Sequence, residues 1–117
     1  MRILVVDDVK TFPFNKGDDV TYARTLAEGL EQIESSWGQI WLDHDLGGED
    51  TIRPIVRRLA EMAYNGEPPT DNICICSLNP VGVDYIRSSL ERWYWIAYCT
   101  DPSQVRSILG EGRAIWY

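Results

Sequence analysis

The sequence predicts a single α/β domain, residues 1–117, with five strands in a parallel sheet and a loop where the first covering helix would stand. Three observations lead there. Short apolar runs rich in β-branched and aromatic residues recur along the chain, as strands buried on both faces require. Segments with apolar residues at helical spacing alternate with those runs, and alternation of this kind implies right-handed crossovers and a mostly parallel sheet. A length of 117 residues suits one core and is too short for two domains.

Ile3-Leu4-Val5-Val6 is the first strand, closed by Asp7-Asp8. Val9 to Asp19 contain Pro13 and Gly17 and lack helical periodicity, so this connection is read as a loop. Val20 to Ala23 make a weaker strand. Thr25-Leu26-Ala27-Glu28 is a capping box, with Leu26, Leu30 and Ile33 following on one face. Ile40-Trp41-Leu42 is the third strand. The next helix begins near Thr51, carries Ile52, Ile55, Val56, Leu59, Met62 and Ala63, and tolerates Pro54 in its first turn. Ile73 to Cys76 form the fourth strand. Asn79-Pro80 reads as N-cap and first helical position before Val83, Ile86, Leu90 and Trp93. Trp95 to Tyr98 form the fifth strand, and Asp101-Pro102 opens a last helix through Val105, Ile108 and Leu109 that Gly110 closes.

The whole is a flavodoxin-like three-layer fold lacking its first helix. Something must cover the face left open. Phe12 with Phe14, the terminal Ala114 to Tyr117, or a second subunit in a homodimer are the candidates.

Eleven basic and eighteen acidic residues leave a net charge of −7. Duplex nucleic acid, bound mainly through phosphate neutralisation, is therefore disfavoured as a partner. The first apolar run is far below the ~20 residues of a membrane span and too short for a signal-peptide core. A cytoplasmic protein with no membrane association is expected. Cys74, Cys76 and Cys99 are odd in number, lie in apolar runs without CxxC spacing, and read as reduced core thiols in preference to zinc ligands or a redox pair. No nucleophile elbow, Walker loop or dinucleotide glycine motif is present.

Open α/β sheets bind ligands beyond the carboxyl ends of their strands, where strand order reverses. The polar residues fall there: Asp7 and Asp8, Asp43-His44-Asp45, Ser77 with Asn79, and Thr100-Asp101. Carboxylates so crowded repel one another until their pKa values rise or a cation binds, and an oxygen-rich set suits Mg²⁺ or Mn²⁺. Solvated strand ends are the bland alternative for Asp7, Asp8 and Asp43; for Asn79 and Asp101 it is a helix N-cap. His44, the one histidine, lies between two acids that favour its imidazolium, as a general acid needs; a plain hydrogen-bonding residue is the bland alternative. Gly47-Gly48 is weak evidence for phosphate binding. Arg53, Arg57 and Arg58 read as a solvated helix face before an anion site.

Ile3 to Asp8, Leu42-Asp43, Ser77 and Tyr98-Cys99-Thr100-Asp101-Pro102 resemble the receiver domains of response regulators. That resemblance implies a receiver-like fold, Mg²⁺ on Asp7, Asp8 and Asp43, and phosphoryl acceptance at Asp43, with Tyr98 at the switch aromatic. The family's lysine before the last-strand proline is Asp101 here, which argues against ordinary phosphoryl signalling. Asp7-Asp8-Val9-Lys10 with Pro13, Leu42-Asp43-His44-Asp45-Leu46-Gly47 and Cys76-Ser77-Leu78-Asn79-Pro80-Val81-Gly82 resemble more closely the cyclic-phosphate processing receiver domain, over roughly residues 2 to 93. Cys76 stands where that family has a second histidine.

This closer resemblance implies a metal-dependent phosphoesterase acting on cyclic phosphates, with a small phosphate or nucleotide as ligand. Asp7, Asp8 and Asp43 would hold the metal. His44 would be the acid, oriented by Asp45, and Ser77, Asn79 and Lys10 would bind the phosphate. The alternative is an inactive binding module that sequesters a nucleotide or engages a protein partner, which Cys76, the missing lysine and five tryptophans favour.

Overall fold

A computed structural model describes residues 1–47, 51–77 and 79–99. The elements run β1 (Arg2–Val6), β2 (Asp19–Ala23), α1 (Leu26–Gln32), β3 (Gln39–Leu42), α2 (Arg53–Tyr64), β4 (Asn72–Ile75), α3 (Pro80–Leu90) and β5 (Trp95–Tyr98). All strand pairs are parallel and the order across the sheet is β2-β1-β3-β4-β5. The chain starts at β1, steps outward to β2, then returns over β1 to build the rest. Strand order reverses between β1 and β3, and that is where an open α/β sheet forms its cleft.

Burial follows the two-residue period of the strands. Leu4, Val6, Ile40, Leu42, Ile73, Ile75 and Ile96 face Ile55, Val56, Leu59, Ile86 and Leu90 of the helices. Gly29 lets α1 approach closely, since a methyl group there would stand 2.5 Å from Ile55 Cδ1 and 3.1 Å from Val6 Cγ1. Ile3, Val5, Trp41, Cys74, Cys76, Ala97 and Cys99 line the opposite face. Here the loop between β1 and β2 supplies the cover: the Phe12 and Phe14 rings lie 5.3 and 5.2 Å from the Trp41 ring. The two phenylalanines thus take the place of the absent first helix. All three thiols are buried in or beside this second cluster.

Caps set the helix ends. Thr25 Oγ1 accepts from Glu28 N at 3.1 Å, while the Glu28 carboxylate accepts from Arg24 N, one residue ahead of the position a reciprocal box would use. Asn79 is the N-cap of α3, with Pro80 its first residue, as the sequence indicates. That helix ends at Leu90, whose carbonyl accepts from both Trp93 N and Tyr94 N, so Trp93 falls outside the helix and is 36% exposed. Tyr94 takes the buried place instead, donating its hydroxyl to the Leu59 carbonyl at 2.7 Å. Strand β4 ends one residue early, although Cys76 N still donates to Leu42 O at 2.8 Å. The helix expected from Asp101, the third layer it would complete and the terminal Ala114 to Tyr117 lie outside the described residues. Among the described residues no helix is long and apolar enough to cross a membrane.

Trp41 is fully buried where the loop docks, so Trp41→Ala should lower unfolding free energy by about 3–5 kcal/mol in urea titration. Tyr64→Ala, at a position 80% exposed, should stay within about 0.5 kcal/mol of the parent.

Candidate functional site

Val6 of β1 pairs with Leu42 of β3, and Asp43 N donates to Val6 O at 3.0 Å, so Asp7 and Asp43 leave the sheet side by side. One carboxylate oxygen from each of Asp7, Asp8 and Asp43 lies within 4.8 Å of the others. Asp7 is 1% exposed and Asp43 8%. Asp7 Oδ1 accepts from Val9 N at 3.1 Å and Lys10 N at 2.9 Å, which fixes the carboxylate across the start of the loop. Its other oxygen, Oδ2, is buried and has no hydrogen-bond partner. Lys10 Nζ stands 3.6 Å from Asp7 Oδ2 and 3.8 Å from Asp43 Oδ2, beyond hydrogen-bond reach of both. It donates to the Cys76 carbonyl at 3.0 Å.

Burial raises the Asp43 pKa above the ordinary carboxylate value; the Lys10 charge opposes that rise and the Asp7 charge adds to it. An all-oxygen set in which Asp7 and Asp43 are buried and Asp8 partly exposed, with an unsatisfied carboxylate oxygen, fits a hard divalent cation.

Two residues that the sequence did not single out hold the loop in place. Arg24 Nη1 donates to the carbonyls of Asp7 at 3.2 Å and Lys10 at 2.6 Å, and its guanidinium lies 4.5 Å above the Tyr22 ring. The Tyr22 hydroxyl accepts from Phe12 N at 3.2 Å. Both belong to the weakly patterned β2 end. Only the β1–β2 register, Val6 opposite Ala23, reveals their reach.

His44 turns the other way from Asp43, as neighbours in extended chain do. Its ring rests on the first turn of α3, where a methyl group on Gly82 would lie 2.8 Å from Cδ2 and closer still to Cγ. His44 Nδ1 is 3.0 Å from Asp45 Oδ1, while Nε2 is buried without a hydrogen-bond partner. Asp45 is largely solvent-facing. Ser77 Oγ accepts from Asn79 N at 3.2 Å, and Asn79 Oδ1 accepts from Val81 N at 3.1 Å and Gly82 N at 3.3 Å. The Asn79 carbonyl oxygen is therefore a helix cap, which leaves its Nδ2 group as the donor available to a ligand. The Cys76 thiol is buried, donates to the Cys74 carbonyl at 3.8 Å, and is pushed well above its usual pKa by desolvation. It cannot do the proton transfer of an imidazole near neutral pH.

The structure thus unites Asp7, Asp8, Asp43 and Lys10, pairs His44 with Asp45 beside α3, and pairs Ser77 with Asn79 at the end of β4. Of the arginines, Arg53 stacks on Tyr85 at 4.3 Å and Arg58 pairs with Glu34 and Glu61 on the surface, so those two serve helix contacts. Gly48, Leu78, Thr100 and Asp101 lie outside the described residues.

No curated protein and no solved structure matches the chain. A family model, that of the cyclic-phosphate processing receiver domain, matches residues 2–92. That span includes the three carboxylates, Lys10, the His44-Asp45 pair, and Ser77 with Asn79. By this match over most of its length, on a parallel sheet of five strands with helices, the chain belongs to the cyclic-phosphate processing receiver domain family.

Proposed function

We propose that this receiver domain is a divalent-metal-dependent phosphoesterase that opens cyclic phosphates, cyclic nucleotides among them. The observation that carries the reading is the convergence of Asp7, Asp8 and Asp43 within 4.8 Å, with a buried Asp7 oxygen left without a hydrogen bond. These three would hold Mg²⁺ or Mn²⁺, which when bound polarises phosphoryl oxygens and makes water a better nucleophile. Lys10 Nζ, Ser77 Oγ and Asn79 Nδ2 would donate to the phosphate oxygens, where charge builds in the transition state. Ring opening adds one water: its oxygen joins phosphorus as a ring P–O bond breaks, and the departing oxygen takes a proton. His44 Nε2 would give that proton, with Asp45 holding Nδ1 and so the ring's orientation. Because Nε2 is buried under α3, this role requires the Asn79–Gly82 turn to yield when substrate arrives.

That burial also favours a second reading, a binding module that holds a nucleotide without turning it over. Calorimetry separates the two: tight nucleotide binding with no hydrolysis across a cyclic-phosphate panel supports the module.

For the phosphoesterase, purified protein with Mg²⁺ or Mn²⁺ should open cyclic nucleotides, measured by product chromatography. His44→Ala should lower the rate by about 10²–10⁴-fold while circular dichroism stays unchanged. Asp43→Asn should abolish metal binding and yet stabilise the metal-free fold. The sign follows from the raised pKa: ionised Asp43 is disfavoured in the folded chain, so stability rises as pH falls through that group's range. The asparagine variant should lack that component of the thermal midpoint's pH dependence. Gly82→Ala should crowd His44, costing about 1–3 kcal/mol and shifting the His44 ring resonances, whereas Gly17→Ala, with open space around it, should do neither.

A further inference from the structure

We propose that Lys10 is a built-in rival of the divalent cation: its ammonium neutralises the carboxylates in the metal-free protein, and cation binding drives it out to meet the phosphate. The inference rests on the reading of Asp7, Asp8 and Asp43 as a metal centre and adds an order of events to it. Metal binds first, and the phosphate-binding amine is released as a consequence.

The geometry is that of a charge held near its counter-ions without being fastened to them. Nζ is 3.6 and 3.8 Å from two of the three carboxylates, and its one hydrogen bond among the described residues goes to a neutral carbonyl, that of Cys76. Asp7 Oδ2, the nearer of the two carboxylate oxygens, is buried without a hydrogen bond and keeps its coordination capacity. The Lys10 backbone, by contrast, is fixed at both ends, its N–H by Asp7 Oδ1 and its carbonyl by Arg24. Only the side chain is free to swing, and it is already 38% exposed. A divalent ion bound to these carboxylates would remove the negative charge that retains the ammonium and add positive charge beside it. The repulsion is reciprocal, so Lys10 must also weaken metal binding.

The chain has only two lysines, and Lys16, exposed in the same loop, is an internal control. Mg²⁺ and Mn²⁺ affinities would be measured by calorimetry on the wild type, Lys10→Gln and Lys16→Gln. Amine acylation of the wild type would be followed by peptide mass spectrometry with and without saturating metal. The proposal expects Lys10→Gln to bind metal at least about tenfold more tightly, Lys16→Gln to match the wild type, and metal to speed acylation of Lys10 but not of Lys16. Equal or weaker metal affinity in Lys10→Gln overturns the rivalry and leaves the metal centre standing, as does Lys10 acylation indifferent to metal. If no protein binds either ion, the metal centre itself falls and the rivalry with it.

Discussion

Parallel pairing of β1 with β3 is the constraint on which everything else rests. With Val6 opposite Leu42, both strands end at one height, and the residues that follow are forced into proximity however far apart they lie in sequence. A slip of one residue would send Asp43 to the helical side and His44 to the carboxylates. What prevents a slip is burial on both faces: Leu4, Val6, Ile40 and Leu42 need the helices, while Ile3, Val5 and Trp41 need the phenylalanine loop. The charged rim is therefore positioned by an apolar preference that acts several residues away from it.

Burial, and the Asp7 charge beside it, work against the ionisation of Asp43. Two devices moderate that cost. Backbone amides of Val9 and Lys10 solvate one Asp7 oxygen, and the Lys10 ammonium lends positive charge to Asp7 and Asp43. Neither device satisfies Asp7 Oδ2. The unsatisfied oxygen and the partly exposed lysine belong to the same arrangement.

Much of this was legible in the sequence because strong local signals and global placement agreed. Apolar runs fixed the strands, the Thr25 and Asn79 caps fixed helix starts, and the acidic residues at strand ends could be assigned to one rim by the rule for parallel sheets. Covering of the open face by Phe12 and Phe14 was one of three candidates, and their rings do pack there on Trp41, while the terminal Ala114 to Tyr117 lie outside the described residues. Other features depend on contacts that have no sequence period. Trp93 continued a helical pattern, but the helix stops at Leu90 because the next turn delivers Tyr94 to Leu59. Arg24 looked like any charged residue at a strand end, and Gly82 like a small residue in a helix. Their significance, one gripping the loop and the other making room for His44, exists only across elements separated by 14 or more residues.

The grip of Arg24 bears on how the site could be disturbed from a distance. A helix would have kept its own shape through internal hydrogen bonds; the loop in its place borrows its shape from an edge strand, through one guanidinium and one phenol. Edge strands are the part of a sheet most open to new neighbours. Anything that pries β2 outward by a fraction of its spacing would pull on the carbonyls of Asp7 and Lys10, and so would reach the carboxylate rim without touching it.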